Sequence, residues 1–192
     1  MIRIIAGEYR RRQLVAPPDD AVTRPYTQRV KESLFSLLRG WFEDAVVLDL
    51  FAGVGTVGLV AVSRGARNVM MVEKDRRIAD LLERNVETLG CGDRATVVRG
   101  DALGETVLHR APAPVDLVFL DPPYAMMEDE ASRARILAFA ARLAPVMARP
   151  SFLVLRSPRA DREGDHAIAG FAGPETHRYG RAMFVHLYEP VP

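Results

Sequence analysis

The stretch Val46-Val47-Leu48-Asp49-Leu50-Phe51-Ala52-Gly53-Val54-Gly55-Thr56-Val57-Gly58 joins an apolar, β-branched run to a glycine-rich turn. The run VVLDLFA reads as a buried strand, and a helix is expected from about Thr56. Gly53, Gly55 and Gly58 fit G-x-G-x-x-G between the two. Glycines there permit positive φ and let a ligand approach bare backbone, while the N-terminus of the following helix offers unpaired N–H groups. Alone the pattern is a weak signal, because the same glycines also suit a plain strand-to-helix turn.

Working outward, the period keeps switching. NVMMVEK reads as a strand, Arg76 to Leu89 as a helix, ATVVRGD as a strand and VDLVFLD as a fourth. A helix from Glu128 to Ala144 and a strand SFLVLRS follow. Strands alternating with helices predict an α/β fold, a parallel sheet covered on both faces. From about Gly170 the pattern changes, and ETHRYGRAMFVHLYE reads as an antiparallel hairpin turning near Tyr179-Gly180. Upstream, RIIAGEYRRRQLVAPP alternates about Gly7 and predicts a small hairpin or extended arm. TRPYTQRVKESLFSLLRGWF then predicts an amphipathic helix with Thr27 as its N-cap.

The chain of 192 residues, 48% hydrophobic and 27% charged, has the composition of one ordinary globular domain. No early segment approaches the roughly 20 apolar residues that cross a bilayer, and a cytoplasmic protein with no membrane association is expected. The single cysteine, Cys91, cannot form an internal disulfide, and the four histidines show no metal-ligand spacing, so no metal site is expected. Net charge is only +1, yet Arg3, Arg10, Arg11, Arg12, Arg24, Arg29, Lys31 and Arg39 oppose only Glu8, Asp19, Asp20 and Glu32 in the opening segment. That local excess makes Arg10, Arg11, Arg12 and Arg24 candidate phosphate contacts.

Three carboxylates accompany the glycine loop. Glu73 ends the second strand, 20 residues after Gly53, where a carboxylate can accept both hydroxyls of a ribose. Asp101 ends the third strand and suits a bond from an adenine amino group, while Asp49 lies inside the first strand near the loop. A nucleoside-containing cofactor follows, and a nicotinamide dinucleotide and S-adenosylmethionine both fit that frame.

Asp121-Pro122-Pro123-Tyr124 separates them. Neither proline has an N–H, and each restricts the residue before it, so the turn is stiff and rich in acceptors. A planar amino group can donate to the Asp121 carboxylate and to the Pro122 carbonyl, with the Tyr124 ring as a stacking face worth roughly 1 to 3 kcal/mol. This suits methylation of an exocyclic base amine, whose lone pair is delocalised and whose nitrogen gains positive charge in the transition state. A dehydrogenase leaves the motif unexplained.

The series DLFAGVGTVGL, VEKD, RGDA and DPPY resembles the Rossmann-like amino methyltransferases. With RIIAGEYRRRQL, TRPYTQRVKESLF and YGRAMFVHLYE, nearly the whole chain resembles the bacterial small-subunit ribosomal RNA guanine-N2 methyltransferase family. The resemblance implies a seven-stranded methyltransferase sheet in a single domain spanning 1–192, with 1–43 as an RNA-binding arm and helix. It also implies methyl transfer from S-adenosylmethionine to the N2 amine of a guanine in 16S rRNA, within a partly assembled small subunit and with no obligate protein partner. Phe51, Ala52, Gly53 and Gly55 would surround the methionyl part of the cofactor, Glu73 its ribose, and Asp101 with Ala102 its adenine. Asp121, Pro122, Pro123 and Tyr124 would hold the target base. The chain departs from the family pattern at Val54, Val60, Tyr26, Gln28 and Arg181-Ala182. An adenine or cytosine amino methyltransferase, and a non-catalytic RNA-binding assembly factor, are the alternatives.

Overall fold

The computed structural model describes residues 2–17, 28–161 and 164–191. Thr27 and Arg24, with most of the TRPYTQ motif, therefore lie outside the described residues. A short antiparallel pair, β1 (Ile2–Arg3) and β2 (Gln13–Leu14), precedes helix α1 (Gln28–Leu37). The alternating region then runs β3 (Val46–Leu50), α2 (Gly58–Ser63), β4 (Asn68–Glu73), α3 (Arg76–Leu89), β5 (Ala95–Arg99), α4 (Glu105–Arg110) and β6 (Val115–Leu120). It continues through α5 (Tyr124–Glu128), α6 (Glu130–Ala141), β7 (Met147–Ser157), β8 (Phe171–Arg178) and β9 (Phe184–Pro190).

Seven strands form one sheet in the order β5-β4-β3-β6-β7-β9-β8. The first five pair in parallel, and β9 runs antiparallel between β7 and β8. Side chains alternate faces along a strand, and two cores result. Val47, Val69, Met71, Leu117, Phe119 and Val154 meet α1, α2 and α3 on one face. Val46, Leu48, Leu50, Met70, Val118, Leu120 and Leu155 meet α4, α5 and α6 on the other. Every residue of β3 is buried because the central strand is covered on both sides, and this is why its sequence is apolar at every position but Asp49 rather than alternating. The expected seven-stranded sheet with helices on both faces and a C-terminal antiparallel hairpin is the observed one.

Local signals set α3 well. Asp75 caps it by accepting from the amides of Arg77 and Ile78, and Gly90 ends it with φ of 67°. Other bounds differ from expectation. The helix after the glycine loop starts at Gly58, because Gly55 and its neighbours are spent on turns first. The single helix expected over Glu128 to Ala144 divides at Asp129, whose backbone is extended and whose carboxylate accepts from the Ser132 amide to start α6. Helix α4 was not foreseen, and β7 reaches back to Met147, across a register shift opposite Val115 and Leu117.

The N-terminal segment is docked rather than extended into solvent. Ile4 and Leu14 are buried in the same core as α1, α2 and α3. Gly7 has φ of +82°, and a Cβ there would fall 1.7 Å from the Ser63 carbonyl oxygen, so only glycine lets the turn reach the end of α2. The Glu8 amide donates to that carbonyl at 2.7 Å, the Tyr9 amide donates to Ser63 Oγ at 2.9 Å, and the Ser63 hydroxyl donates to the Ala6 carbonyl at 2.6 Å.

Candidate active site

The chain passes from β3 through β4 to β5 in one direction along the sheet, then returns to place β6 on the other side of β3. The carboxyl ends of β3 and β6 therefore flank a topological switch point, where open α/β sheets bind ligands. The glycine loop follows one of these ends and Asp121 the other, and the Asp121 amide donates to the Leu50 carbonyl at 3.3 Å.

The loop is held by backbone and carboxylates. Phe51 has φ of 64°, an uncommon and strained conformation for an aromatic residue, followed by Gly53 at 57° and Gly55 at 87°. Glu73 clamps the turn by accepting from the Gly53 amide at 3.0 Å and, through its other oxygen, from the Asp75 amide at 2.8 Å. A carboxylate has about four acceptor positions, so this leaves capacity for further donors. Gly55 packs so tightly that a Cβ would lie 2.5 Å from Leu82 Cδ1, whereas a Cβ on Gly53 would meet nothing within 4 Å. One glycine serves packing, and the other leaves room over the loop. Ala52 is buried behind it, and its amide donates to the Val72 carbonyl.

Asp49 is buried at 1% exposure, and its Oδ2 accepts from the Gly58 amide at 2.8 Å. Burial pushes its carboxyl up to about 8, opposed by that amide and reinforced by the charges of Asp121 and Glu73. These carboxylates share one electrostatic neighbourhood. Asp101 stands exposed at the end of β5, accepting from the Leu103 amide at 3.0 Å, with Ala102 buried beside it.

Asp121 is largely enclosed, and burial raises its carboxyl while the Arg156 guanidinium opposes the rise. Arg156 Nε donates to Asp121 Oδ1, and its guanidinium carbon lies 5.0 Å from the Tyr124 ring centroid. Pro122 is buried, Pro123 provides the extended residue before α5, and Tyr124 opens that helix. Reading the sequence missed Arg156. Its signal was a cation inside the apolar strand FLVLRS.

A second residue was also missed. Asn85 is fully buried on α3; its Oδ1 accepts from the Val15 amide at 2.7 Å, and its Nδ2 donates to the carbonyls of Val15 and Val54 at 3.0 Å each. It thus ties the N-terminal arm to the glycine loop. The signal was a polar residue on the apolar stripe of Leu82, Val86 and Leu89.

Arg10, Arg11 and Arg12 are exposed but are not brought to Asp121. Helices α2 and α3 run opposite to the strands they connect, so their last residues lie at the amino ends of those strands. The arm turns against Ser63 at the end of α2, and Arg12 donates to the Thr88 carbonyl near the end of α3. A five-residue strand such as β3 separates the two edges by about 15 to 20 Å. Arg24 lies outside the described residues.

Away from this edge, His166 is buried after β7 with Nδ1 2.8 Å from Asp165 and Nε2 3.1 Å from Ser157 Oγ. Asp161, Asp165 and His166 bring one ligand atom each within 4.8 Å of the others, a grouping the spacing of the histidines did not suggest. These hydrogen bonds fasten the loop to the end of β7.

A parallel sheet in this order with an antiparallel β9 inserted beside β7, carrying a glycine loop and Asp-Pro-Pro-Tyr across its switch point, is the fold of the Rossmann-like methyltransferases. Comparison with known proteins places the chain within that class. A family model described as Conserved hypothetical protein 95 matches residues 2–187, and the chain belongs to that family. The ribosomal RNA small subunit methyltransferase D of Escherichia coli K12 is 42% identical over 123 residues, or 64% of this chain and 60% of the relative. The chain therefore spans about 60% of the length of that relative. Among solved structures, Escherichia coli yhhF is 31% identical with a TM-score of 0.78, covering 98% of this chain and 97% of that one. A hypothetical protein of Thermus thermophilus, TTHA0928, is 30% identical with a TM-score of 0.75, covering 98% and 99%.

Proposed function

We propose that this protein transfers a methyl group from S-adenosylmethionine to the N2 exocyclic amine of a guanine in 16S rRNA. The observation that carries the reading is the enclosed Asp121 carboxylate, set across the switch point from an open glycine loop and followed directly by Tyr124. The name of the Escherichia coli relative, a ribosomal RNA small subunit methyltransferase, supports the substrate class.

The residues present fit the cofactor. Open space over Gly53, the exposed Asp101 carboxylate and the remaining acceptor capacity of Glu73 match a nucleoside with an amino acid tail. Phe51, Ala52, Gly53 and Gly55 would line the methionyl part, Glu73 would take the ribose, and Asp101 with Ala102 the adenine, with Asp49 stiffening the loop from beneath. When bound, the cofactor supplies an electrophilic methyl group on a sulfonium.

Asp121 then accepts a hydrogen bond from the target amine through Oδ2, since Oδ1 is engaged by Arg156. Fixed acceptors around the nitrogen favour the transition state, where that nitrogen carries positive charge, over the ground state. The carboxylate also stands ready at Oδ2 for the proton the amine loses. Tyr124 offers a stacking face for a base drawn out of its helix, and the Pro122 carbonyl is a second acceptor. In this reading residues 1–43 form an RNA-binding arm and helix of a single domain, with Arg10, Arg11, Arg12 and Arg24 on phosphates. The distance of Arg10, Arg11 and Arg12 from Asp121 suits a substrate spread over the α2 and α3 face. Such a substrate matches a small-subunit assembly intermediate in the cytoplasm better than a short free oligonucleotide. Among the described residues no helix is long and apolar enough to cross a membrane.

The test is tritiated methyl transfer onto small subunits from cells lacking the gene, followed by nucleoside identification. N2-methylguanosine is expected; N6-methyladenosine would overturn the guanine assignment, and no transfer would overturn the activity.

A further inference from the structure

The role of Arg156 follows from register. Phe119 pairs with Val154 and Leu120 with Leu155 across β6 and β7, so Asp121 and Arg156 are the next opposing pair. Phe119 and Val154 point into the same core, and two-residue alternation sends Asp121 and Arg156 to that same face. The side chain of Arg156 is 5% exposed and that of Asp121 16%. A guanidinium this deeply buried is costly unless paired, and it is paired with the one carboxylate that follows β6. The same guanidinium covers one face of Tyr124.

We propose that Arg156 is a positioning residue: it clamps Asp121 through Oδ1, so that Oδ2 is presented to the target base, and it packs against the Tyr124 ring. The inference rests on the reading of Asp121 given above and adds a residue to it. A free carboxylate could rotate about its terminal torsion, and each wrong orientation removes the acceptor from the amine. A planar guanidinium at Oδ1 restricts that rotation, which a flexible ammonium does less well.

The clamp also governs charge. Burial disfavours the ionised Asp121, and among the described residues the charged groups that act on it are Arg156 from β7 and Asp49 from β3, with Glu73 beyond Asp49. Of these only Arg156 is cationic, so removing it leaves Asp121 to burial and to its acidic neighbours. Protonated, the carboxyl keeps a weaker acceptor and loses the charge that matches the methylated nitrogen.

Single-turnover methyl transfer onto small subunits should be followed from pH 5 to 9 for the wild type, Arg156→Lys and Arg156→Met, with S-adenosylhomocysteine affinity measured by calorimetry. Arg156→Met is expected to bind the cofactor product as the wild type does and to lose roughly 10- to 100-fold in rate at pH 7, the scale of losing a partner that orients a functional group. The acid limb of its profile should move up by about one pH unit or more. Arg156→Lys should keep the limb close to its wild-type position while recovering part of the rate. If Arg156→Met does not fold, Arg156→Gln replaces it, keeping a donor to Oδ1 without the charge. A limb that stays in place, with or without a uniform loss of rate, would reduce Arg156 to packing and overturn the proposal. Unimpaired transfer by Asp121→Ala would instead sink the reading of the site. A carbon-13 titration of the Asp121 carboxyl in the wild type and Arg156→Met would then still decide the clamp, and an unshifted titration would end it.

Discussion

Replacing Asn85 by alanine should loosen two regions that look unrelated in the chain. The side chain is fully buried and makes three hydrogen bonds, one from the Val15 amide and two to the carbonyls of Val15 and Val54. The Val54 carbonyl bond is buried, and leaving it unmade costs about 1 to 3 kcal/mol. Val15 is 43% exposed, so water can reach its two groups, and those bonds contribute about 0.5 to 1.5 kcal/mol each. The sum is roughly 2 to 6 kcal/mol, a large share of the 5 to 15 kcal/mol typical of a whole domain. For a chain of this size, 1 kcal/mol moves Tm by roughly 2 to 4 °C, so a fall of at least about 4 °C is expected. Hydrogen exchange should rise at Val15 and in the glycine loop together, and S-adenosylhomocysteine should bind more weakly, because the loop has lost an anchor. A variant whose Tm stays within about 2 °C of wild type, with unchanged exchange at both sites, would refute the bridge.

Three further outcomes follow. Gly7→Ala should release the arm, since its Cβ would overlap the Ser63 carbonyl and φ is +82°; limited proteolysis between residues 5 and 15 should accelerate, and unchanged resistance would contradict the docking. His186 is buried neutral, and burial with the neighbouring His166 holds it at about 4 against 6.5 when free. Its folded pKa is the lower one, so stability is full above pH 6.5 and falls as pH drops toward 4, by up to roughly 3 kcal/mol. Urea titrations should show this acid slope flattened in His186→Gln, and equal slopes would reject the assignment. Changing Arg10, Arg11 and Arg12 together to alanine should weaken subunit binding and flatten its salt dependence by about 0.7 to 0.9 per lost phosphate contact, with cofactor affinity unchanged. A salt slope equal to wild type would place the RNA surface elsewhere.

The α/β layers were legible because each is a local property. A strand buried on both faces must be almost wholly apolar, as VVLDL is apart from Asp49, and a surface helix must be amphipathic and capped, as α3 is between Asp75 and Gly90. The glycine loop, Glu73, Asp101 and Asp121 were legible for a related reason. Each stands at or just beyond the carboxyl end of a strand, and in a parallel sheet all such positions share one edge whatever the strand order.

What the sequence determined by itself was most of the elements, their layers and the edge on which the acidic and glycine residues gather. Tertiary structure alone decided which of those residues meet. Arg156 reaches Asp121 because β6 and β7 are neighbours in one particular register, although the residues stand 35 positions apart. Asn85 joins Val15 to Val54 because an arm from the far N-terminus passes α3 beside the loop. The basic run Arg10 to Arg12, the clearest charge signal in the opening segment, lies at the opposite edge from Asp121 because Gly7 seats the arm on the end of α2. Periodicity records only which face a residue occupies, since backbone geometry repeats every two or 3.6 residues. Partners across strands and segments are chosen by the packing of whole elements, which no local window contains.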